Sequence, residues 1–206
     1  MVNYFTLMQL PEQFAIDDQQ LQARLHHLQR QFHPDNLVTS DSEQYFASPS
    51  SLANLNAEQR SAVINEAYRT LASPDSRAKH LLALQGIEQP ITDSIRDLEF
   101  LEQAMSYRMA LEDAASLNEI TLLKDKVIAW LNQYTHEFEQ VYHTLVNPNA
   151  RENQATDSEQ AVQIQTTALQ LLQKIQFLVK LSNDIDKQYD EIANQHFNAN
   201  DDDLYV

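Results

Sequence analysis

The chain has no cysteine among its 206 residues. This absence excludes disulfides, thiolate zinc sites, cysteine nucleophiles and direct thiolate ligation of an iron–sulfur cluster. Metal binding would have to rest on histidine and carboxylate alone, and no group of these residues has a recognisable ligand spacing. We therefore predict neither a metal site nor a cofactor.

Glycine is almost as scarce, because Gly86 is the only one in the chain. Average usage near 7% would give about fourteen glycines in a chain of this length. Sheets and hairpins use glycine at turns with positive φ, so a chain with a single glycine favours helices joined by few corners. The predicted fold class is all-α.

Basic residues are also few. The 14 lysines and arginines stand against 30 aspartates and glutamates, which gives a formal net charge of -16. This charge argues against general binding to nucleic acids or anionic membranes, since both would repel the protein. No apolar run reaches the roughly 18 to 20 residues that span a bilayer, and the amino terminus lacks the pattern of a signal peptide. We expect a cytoplasmic protein, or a matured organellar one.

The first part of the chain predicts two helices joined by a polar loop. Apolar residues at helical spacing follow Asp17, and Pro34 disfavours helical geometry at His33, so the first helix should end there. Its apolar positions are Leu21, Leu25, Leu28 and Phe32. The polar stretch 39–56 precedes a second helix, whose apolar positions are Ile64, Ala67, Tyr68 and Leu71.

A third, shorter helix should begin at Pro74, with Ser73 able to cap it, and should end at Gly86. The segment 87–95, which contains another proline, is the predicted linker. This boundary assigns residues 1–86 to an amino-terminal domain.

Beyond the linker, three longer helical periodicities predict a three-helix bundle over residues 96–200. The apolar positions of the first helix are Phe100, Ala104, Tyr107 and Leu111. Those of the second are Leu123, Val127, Leu131, Tyr134, Phe138, Val141 and Leu145. Those of the third are Ile164, Ala168, Leu171, Ile175, Leu178, Ile185, Tyr189 and Ile192. The acidic tail 201–206 is expected to be disordered, because its adjacent aspartates repel one another.

The charge of the first predicted helix contrasts with that of the chain. Between Gln19 and His33 every ionisable side chain is basic, namely Arg24, His26, His27, Arg30 and His33. With the apolar positions turned inward, much of this set should form an outer positive strip that attracts an acidic partner surface. The alternative is a solvated helix face without a partner.

A His33-Pro34-Asp35 corner follows this helix. Proline fixes the turn, and the carboxylate of Asp35 can accept a bidentate bond from an arginine. A catalytic interpretation, with His33 and Asp35 as an acid–base pair, lacks a nucleophile, an oxyanion donor and a phosphate-binding glycine loop.

These segments resemble a J-domain, in which two antiparallel helices flank a His-Pro-Asp loop. Three ordered blocks carry the resemblance, NYFTLMQLP, LQRQFHPDNL and INEAYRTLASPDSRAKHLL. It implies docking on a DnaK-class ATPase chaperone and stimulation of its ATP hydrolysis. The implied chaperone-binding residues are Arg24, His26, His27, Arg30, His33, Pro34, Asp35 and Asn36. Asn36 stands where a lysine is common in that family, so the loop has one positive charge fewer.

The helix DLEFLEQAMSYRMALED has a second apolar stripe, Leu101, Met105 and Met109, beside its first. Phe177 and Leu181 likewise lie off the main stripe of the last helix. Surplus apolar area, especially methionine, is typical of an adaptable protein-binding surface. A helix wedged between two neighbours also needs a wide apolar face, and periodicity alone favours this core interpretation.

A short J-domain followed by a helical bundle, with no Gly/Phe-rich region and no cysteine-rich module, is similar to the HscB family of co-chaperones of iron–sulfur cluster assembly. The resemblance implies a bacterial-type protein that binds an IscU-type scaffold and presents it to an HscA-type chaperone, without catalysing a reaction itself. The implied scaffold-binding residues are Leu101, Glu102, Met105, Met109, Asp113 and Phe177. Glu102 and Met109 exchange apolar and acidic character relative to the family pattern.

Two other functions stay open. A J-domain protein could use its bundle to bind an unrelated client. A plain helical scaffolding protein could use the basic helix to contact an acidic assembly, with no chaperone involved.

Overall fold

The structure is a computed structural model that describes residues 1–32, 52, 55–88, 94–147 and 157–202. Within these ranges the structure contains seven α-helices and no β-strand, which confirms the predicted all-α class. The chain divides into two compact units, Met1–Glu88 and Gln89–Val206. In the described part of the chain, no helix combines the length and apolar character needed to cross a membrane.

The first unit contains four helices, α1 (Tyr4–Met8), α2 (Asp18–Gln31), α3 (Ala57–Ala72) and α4 (Pro74–Leu84). Polar side chains begin the first three, because the first backbone N–H groups of a helix have no partner within it. The side chains of Asn3 and Asp17 accept two such bonds each. Asn56 forms a reciprocal capping box with Gln59.

Helices α2 and α3 pack antiparallel, as expected for a J-domain. Near the end of α2, the Phe32 ring lies under the guanidinium of Arg60, at 5.6 Å from the ring centroid. One turn earlier, Gln29 Nε2 donates to Asn65 Oδ1 at 3.2 Å. An earlier residue of α2 thus contacts a later residue of α3, which shows that the two helices run in opposite directions. The buried residues between them include Leu21, Leu28, Ile64, Ala67 and Leu71, all of them predicted core positions.

Both ends of α4 depend on local chemistry. Pro74 is its first residue, as predicted, since a first-turn proline has no N–H to leave unpaired. Ser73 occupies the predicted N-cap position, but its hydroxyl donates to the Asp75 carboxylate and accepts no capping bond. Gly86 has φ +73 and, with the Ile87 N–H bonded to Leu82 O, completes the predicted glycine C-terminal cap.

Two polar side chains of α4 are buried in the first unit. Arg77 Nε donates to Leu71 O at 2.7 Å, and its Nη1 donates to Phe14 O at 2.8 Å. The guanidinium thus joins the end of α3 to the segment before α2, where the helix carbonyls lack partners of their own. His80 is also buried and meets α1.

The second unit consists of α5 (Leu98–Asp113), α6 (Leu117–Val146) and α7 (Asp157–Asp202). Helices α5 and α7 run parallel, because Lys174 pairs with Asp97 at 2.6 Å and Gln188 Nε2 donates to Leu111 O at 2.8 Å. Helix α6 runs antiparallel to both: Lys124 pairs with Asp186 at 2.6 Å. At the opposite end of the α6–α7 pair, Val141 of α6 and Ile164 of α7 line one cavity together. The three-helix bundle is therefore confirmed.

An aromatic cluster fills the core of the bundle where α5 meets α6. The ring of Phe100 lies 4.7 Å from that of Trp130 and meets Tyr134 edge to face at 5.6 Å. The predicted stripes supply most of this core, while Ile120, Trp130, Tyr142 and Leu172 are buried residues that were not predicted. The long helices pack on more than one side, so their apolar faces exceed a single stripe.

Three predictions for α7 are corrected. Leu181, predicted to be surplus to the core, is fully buried, whereas Tyr189 is exposed although it lies on the predicted core stripe. Helix α7 continues to Asp202, so the tail 201–206 begins in a helix and not in a disordered segment. Residues 203–206 lie outside the described ranges.

Candidate partner-binding surfaces

The first candidate surface is the basic face of α2, defined as Arg24, His26, His27 and Arg30. All four side chains are exposed, and the buried Leu21 and Leu28 turn the other way. At 3.6 residues per turn, His26, His27 and Arg30 lie opposite these leucines and Arg24 lies at the edge of the face. The predicted outward orientation is confirmed.

The helix itself supports the charge on this face. Asp17 and Asp18 lie at its amino-terminal end and Arg30 in its last turn, the arrangement that the helix dipole favours. Arg24 Nη1 donates to Gln9 Oε1 at 3.1 Å, and Arg30 Nε donates to the carbonyl of His26 at 3.3 Å. These bonds restrain two long side chains without neutralising them.

The remaining predicted chaperone-binding residues are His33, Pro34, Asp35 and Asn36. They follow Phe32, the C-cap of α2, in the sequence and lie outside the described residues. Their predicted role stays a prediction.

The second candidate surface is the apolar stripe of α5, defined as Leu101, Met105 and Met109. The exposed fractions of these side chains are 40%, 65% and 54%. On the opposite side of the helix, Phe100, Ala104 and Leu111 are buried. The core interpretation of this stripe is therefore wrong, because α5 packs through one face only.

Acidic residues flank this stripe. Glu102 and Asp113 are exposed on α5, next to the methionines along one side of the helix. The surface is thus an apolar strip with a carboxylate border, which suits a partner that carries both apolar and basic groups.

Phe177 occupies a different position from the other predicted scaffold-binding residues. Its ring is half-buried and meets Phe100 edge to face at 5.6 Å. The guanidinium of Arg108 lies 5.2 Å from the Phe177 ring centroid and 3.9 Å from a carboxylate oxygen of Asp184. Phe177 is therefore held against the α5 flank that carries Arg108, partly as a member of the core.

Two residues of this region were missed in the sequence. Leu98, the first residue of α5, is 69% exposed and continues the apolar stripe one turn earlier. Its three-residue spacing from Leu101 was a usable signal. Arg108 was missed because a cation over a phenylalanine ring has no signature in a single sequence.

In the described ranges, no three histidine, aspartate or glutamate side chains come together in a way that could hold a metal ion. The described residues of the two surfaces present basic, acidic and apolar side chains to a partner.

Comparisons with known proteins agree with this architecture. No family model matches the chain. A co-chaperone protein HscB homolog of Acinetobacter baumannii is 30% identical over 203 residues, which cover 98% of this chain and 99% of the relative. The co-chaperone protein HscB of Proteus mirabilis is 32% identical over 187 residues, which cover 90% of this chain and 94% of the relative. The solved structure of the chaperone HscB from Vibrio cholerae matches with a TM-score of 0.63 at 31% identity, over 93% of this chain and 99% of that one. The sequence-based resemblance is confirmed, and the chain belongs to the HscB family of J-domain co-chaperones.

Proposed function

We propose that this co-chaperone brings an IscU-type iron–sulfur scaffold protein to an HscA-type chaperone of the DnaK class and stimulates the ATPase of that chaperone. The outcome is maturation or transfer of iron–sulfur clusters. The chain itself acts as a regulator of the chaperone and catalyses no reaction. We further propose that it works in the bacterial cytoplasm, where both partners would be present.

The single observation that carries this proposal is the outward basic face of α2 in a chain of net charge -16. An isolated positive face on a negative body selects a partner by its local charge and orients its approach. An acidic docking surface on the chaperone is the complement that this face needs. Since the side chains are exposed, their attraction should weaken as salt increases.

The ATPase effect is assigned to the loop of His33, Pro34 and Asp35. A co-chaperone shifts its partner between conformations only if it contacts one of them more favourably. The basic face supplies affinity and orientation, and the loop supplies the contact that differs between chaperone states. Asn36, in place of a lysine, reduces the charge of that contact.

Scaffold binding is assigned to the stripe of α5 with its acidic border. Exposed methionines adapt their unbranched side chains to a partner, and burial of each apolar side chain contributes roughly 1.5 to 3 kcal/mol before the costs of association. Leu101, Met105 and Met109 therefore suffice for a small hot spot. Glu102 and Asp113 would orient the scaffold through its basic residues.

The test is a steady-state ATPase assay of the HscA-type chaperone alone, with this protein, with the scaffold, and with both. We expect stimulation by this protein and a greater-than-additive rate with both. A flat rate in every mixture would favour a scaffolding protein without a chaperone. Stimulation by this protein that the scaffold leaves unchanged would favour a J-domain protein with another client.

His33→Gln separates the two activities in the same assay. We expect it to abolish stimulation while scaffold binding and the circular dichroism spectrum stay as in wild type. Unaltered stimulation would refute the assignment of the loop.

A further inference from the structure

Half of the sulfur atoms of this chain lie on one surface. With no cysteine present, its four methionines carry all of the sulfur. Met8 is fully buried in α1, whereas Met1, Met105 and Met109 are exposed. Two of the three accessible sulfurs therefore lie one helical turn apart on the apolar stripe of α5.

We propose that Met105 and Met109 form an oxidation site through which peroxide switches off docking of the scaffold. The proposal rests on the proposed function of the α5 stripe. It adds a modification and a mode of regulation to that surface.

The reaction balances with hydrogen peroxide as the oxidant. A lone pair on the thioether sulfur attacks one peroxide oxygen, the O–O bond breaks, and the second oxygen leaves as water after a proton transfer. Sulfur loses two electrons, which the peroxide gains, and methionine sulfoxide results. Methionine sulfoxide reductases reverse the step with thiol reductants, one enzyme for each sulfoxide epimer.

Oxidation makes the apolar stripe polar at the two positions that a bound partner would shield from water. A sulfoxide oxygen is a strong hydrogen-bond acceptor, so its burial against an apolar partner surface leaves it without a donor. The neighbouring Glu102 and Asp113 side chains are acceptors when ionised and cannot supply that donor. Docking on the oxidised stripe should therefore weaken by about tenfold or more.

The same change should leave the fold intact. Helix α5 packs through Phe100, Ala104 and Leu111, all buried, while Met105 and Met109 are exposed. Met8, whose oxidation would damage the core of the first unit, is shielded from the oxidant. The switch is thus confined to one of the two partner surfaces.

The experiment treats the full-length protein with hydrogen peroxide and locates the added oxygens by peptide mass spectrometry. Scaffold affinity is measured by calorimetry before treatment, after treatment, and after repair with both classes of methionine sulfoxide reductase. We expect sulfoxide at Met105 and Met109 before Met8, about tenfold or more loss of affinity, and recovery on repair.

Two matched measurements isolate the cause. The double variant Met105→Leu and Met109→Leu keeps apolar side chains that peroxide cannot oxidise, so its scaffold affinity, whatever its value, should be the same before and after treatment. Stimulation of the chaperone ATPase without scaffold should be equal for treated and untreated wild type.

Equal scaffold affinity of treated and untreated wild type, with both sulfoxides present, would overturn the oxidation switch and leave the docking proposal standing. Absence of scaffold binding by untreated protein would overturn both. Equal sensitivity of the double leucine variant to peroxide would also overturn the switch, because the loss would then arise elsewhere.

Discussion

His80 on α4 accepts a hydrogen bond at Nε2 from the backbone N–H of Tyr4, over a distance of 3.1 Å, and its ring stacks on the Tyr4 ring with centroids 4.5 Å apart. A protonated imidazole could not accept this bond. Burial lowers the pKa of His80 below its ordinary value of 6.5, against a smaller opposing effect of Glu12. The neutral ring therefore ties α1 to α4.

This relationship predicts that the first unit loses stability in acid. The unfolded chain binds a proton at His80 more readily than the folded unit does, so the contribution of His80 is full above about pH 6.5 and declines as pH falls below it. The single tryptophan, Trp130, lies in the second unit, so hydrogen-exchange protection of α1 and α4 is the appropriate measurement. Between about pH 7 and about pH 5.5, His80→Phe should lose less of its hydrogen-exchange protection than wild type does.

The matched control is His27→Gln, which removes an exposed histidine of the same unit. We expect this variant to keep the wild-type pH dependence of protection. An unchanged pH dependence in His80→Phe would show that another group titrates.

A second prediction concerns the buried guanidinium of Arg77. Arg77→Met keeps much of the side-chain length but leaves Leu71 O and Phe14 O without their donor. We expect a loss of roughly 2 to 4 kcal/mol in the free energy of unfolding of the first unit. Lys79→Met, at an exposed position on the same helix, should change it by less than about 0.5 kcal/mol. Equal stability of the two variants, measured by hydrogen exchange, would contradict the structural role of Arg77.

A third prediction tests the basic face of α2. Arg24→Glu reverses one charge on that face and should weaken stimulation of the chaperone ATPase at low salt, with a smaller deficit at high salt because the attraction is screened. Lys79→Glu makes the same change of charge on α4, outside the face, and should have little effect. If both variants lower stimulation equally, net charge and not the α2 face is responsible.

A fourth prediction tests the stripe of α5. Leu101→Ala combined with Met105→Ala should weaken scaffold binding by more than about 2 kcal/mol if these residues form a hot spot. Leu122→Ala is the control, since Leu122 is also an exposed apolar residue but lies on α6 outside the stripe. Wild-type affinity of the double variant, measured by calorimetry, would remove the stripe from the binding surface.

Local signals in the sequence were reliable at several helix ends. The end of α2 before Pro34 and the glycine cap at Gly86 were predicted because each follows from the backbone chemistry of one residue. Ser73 is the N-cap residue of α4, but its hydroxyl is oriented to donate to the Asp75 carboxylate two residues on and makes no capping bond. Local polar competition of this kind has no periodicity to reveal it.

The sequence indicated both candidate surfaces, but it did not decide whether the apolar stripe of α5 is exposed. The stripe of Leu101, Met105 and Met109 and the apolar Leu181 had the same signal, an apolar position beside the main stripe. The first set is exposed and Leu181 is buried. The outcome depended on which sides of α5 and α7 had neighbours.

By itself, the sequence determined that the chain is helical, where several helices begin and end, and that a basic helix precedes the residues His-Pro-Asp. These features follow from one residue and its neighbours, through φ preferences, capping and helical spacing. Only the tertiary structure decided that α5 packs on one face, that Arg77 and His80 become buried partners of distant carbonyl and N–H groups, and that two methionines stay in solvent. Those outcomes depend on contacts between residues far apart in the chain, which no local pattern encodes.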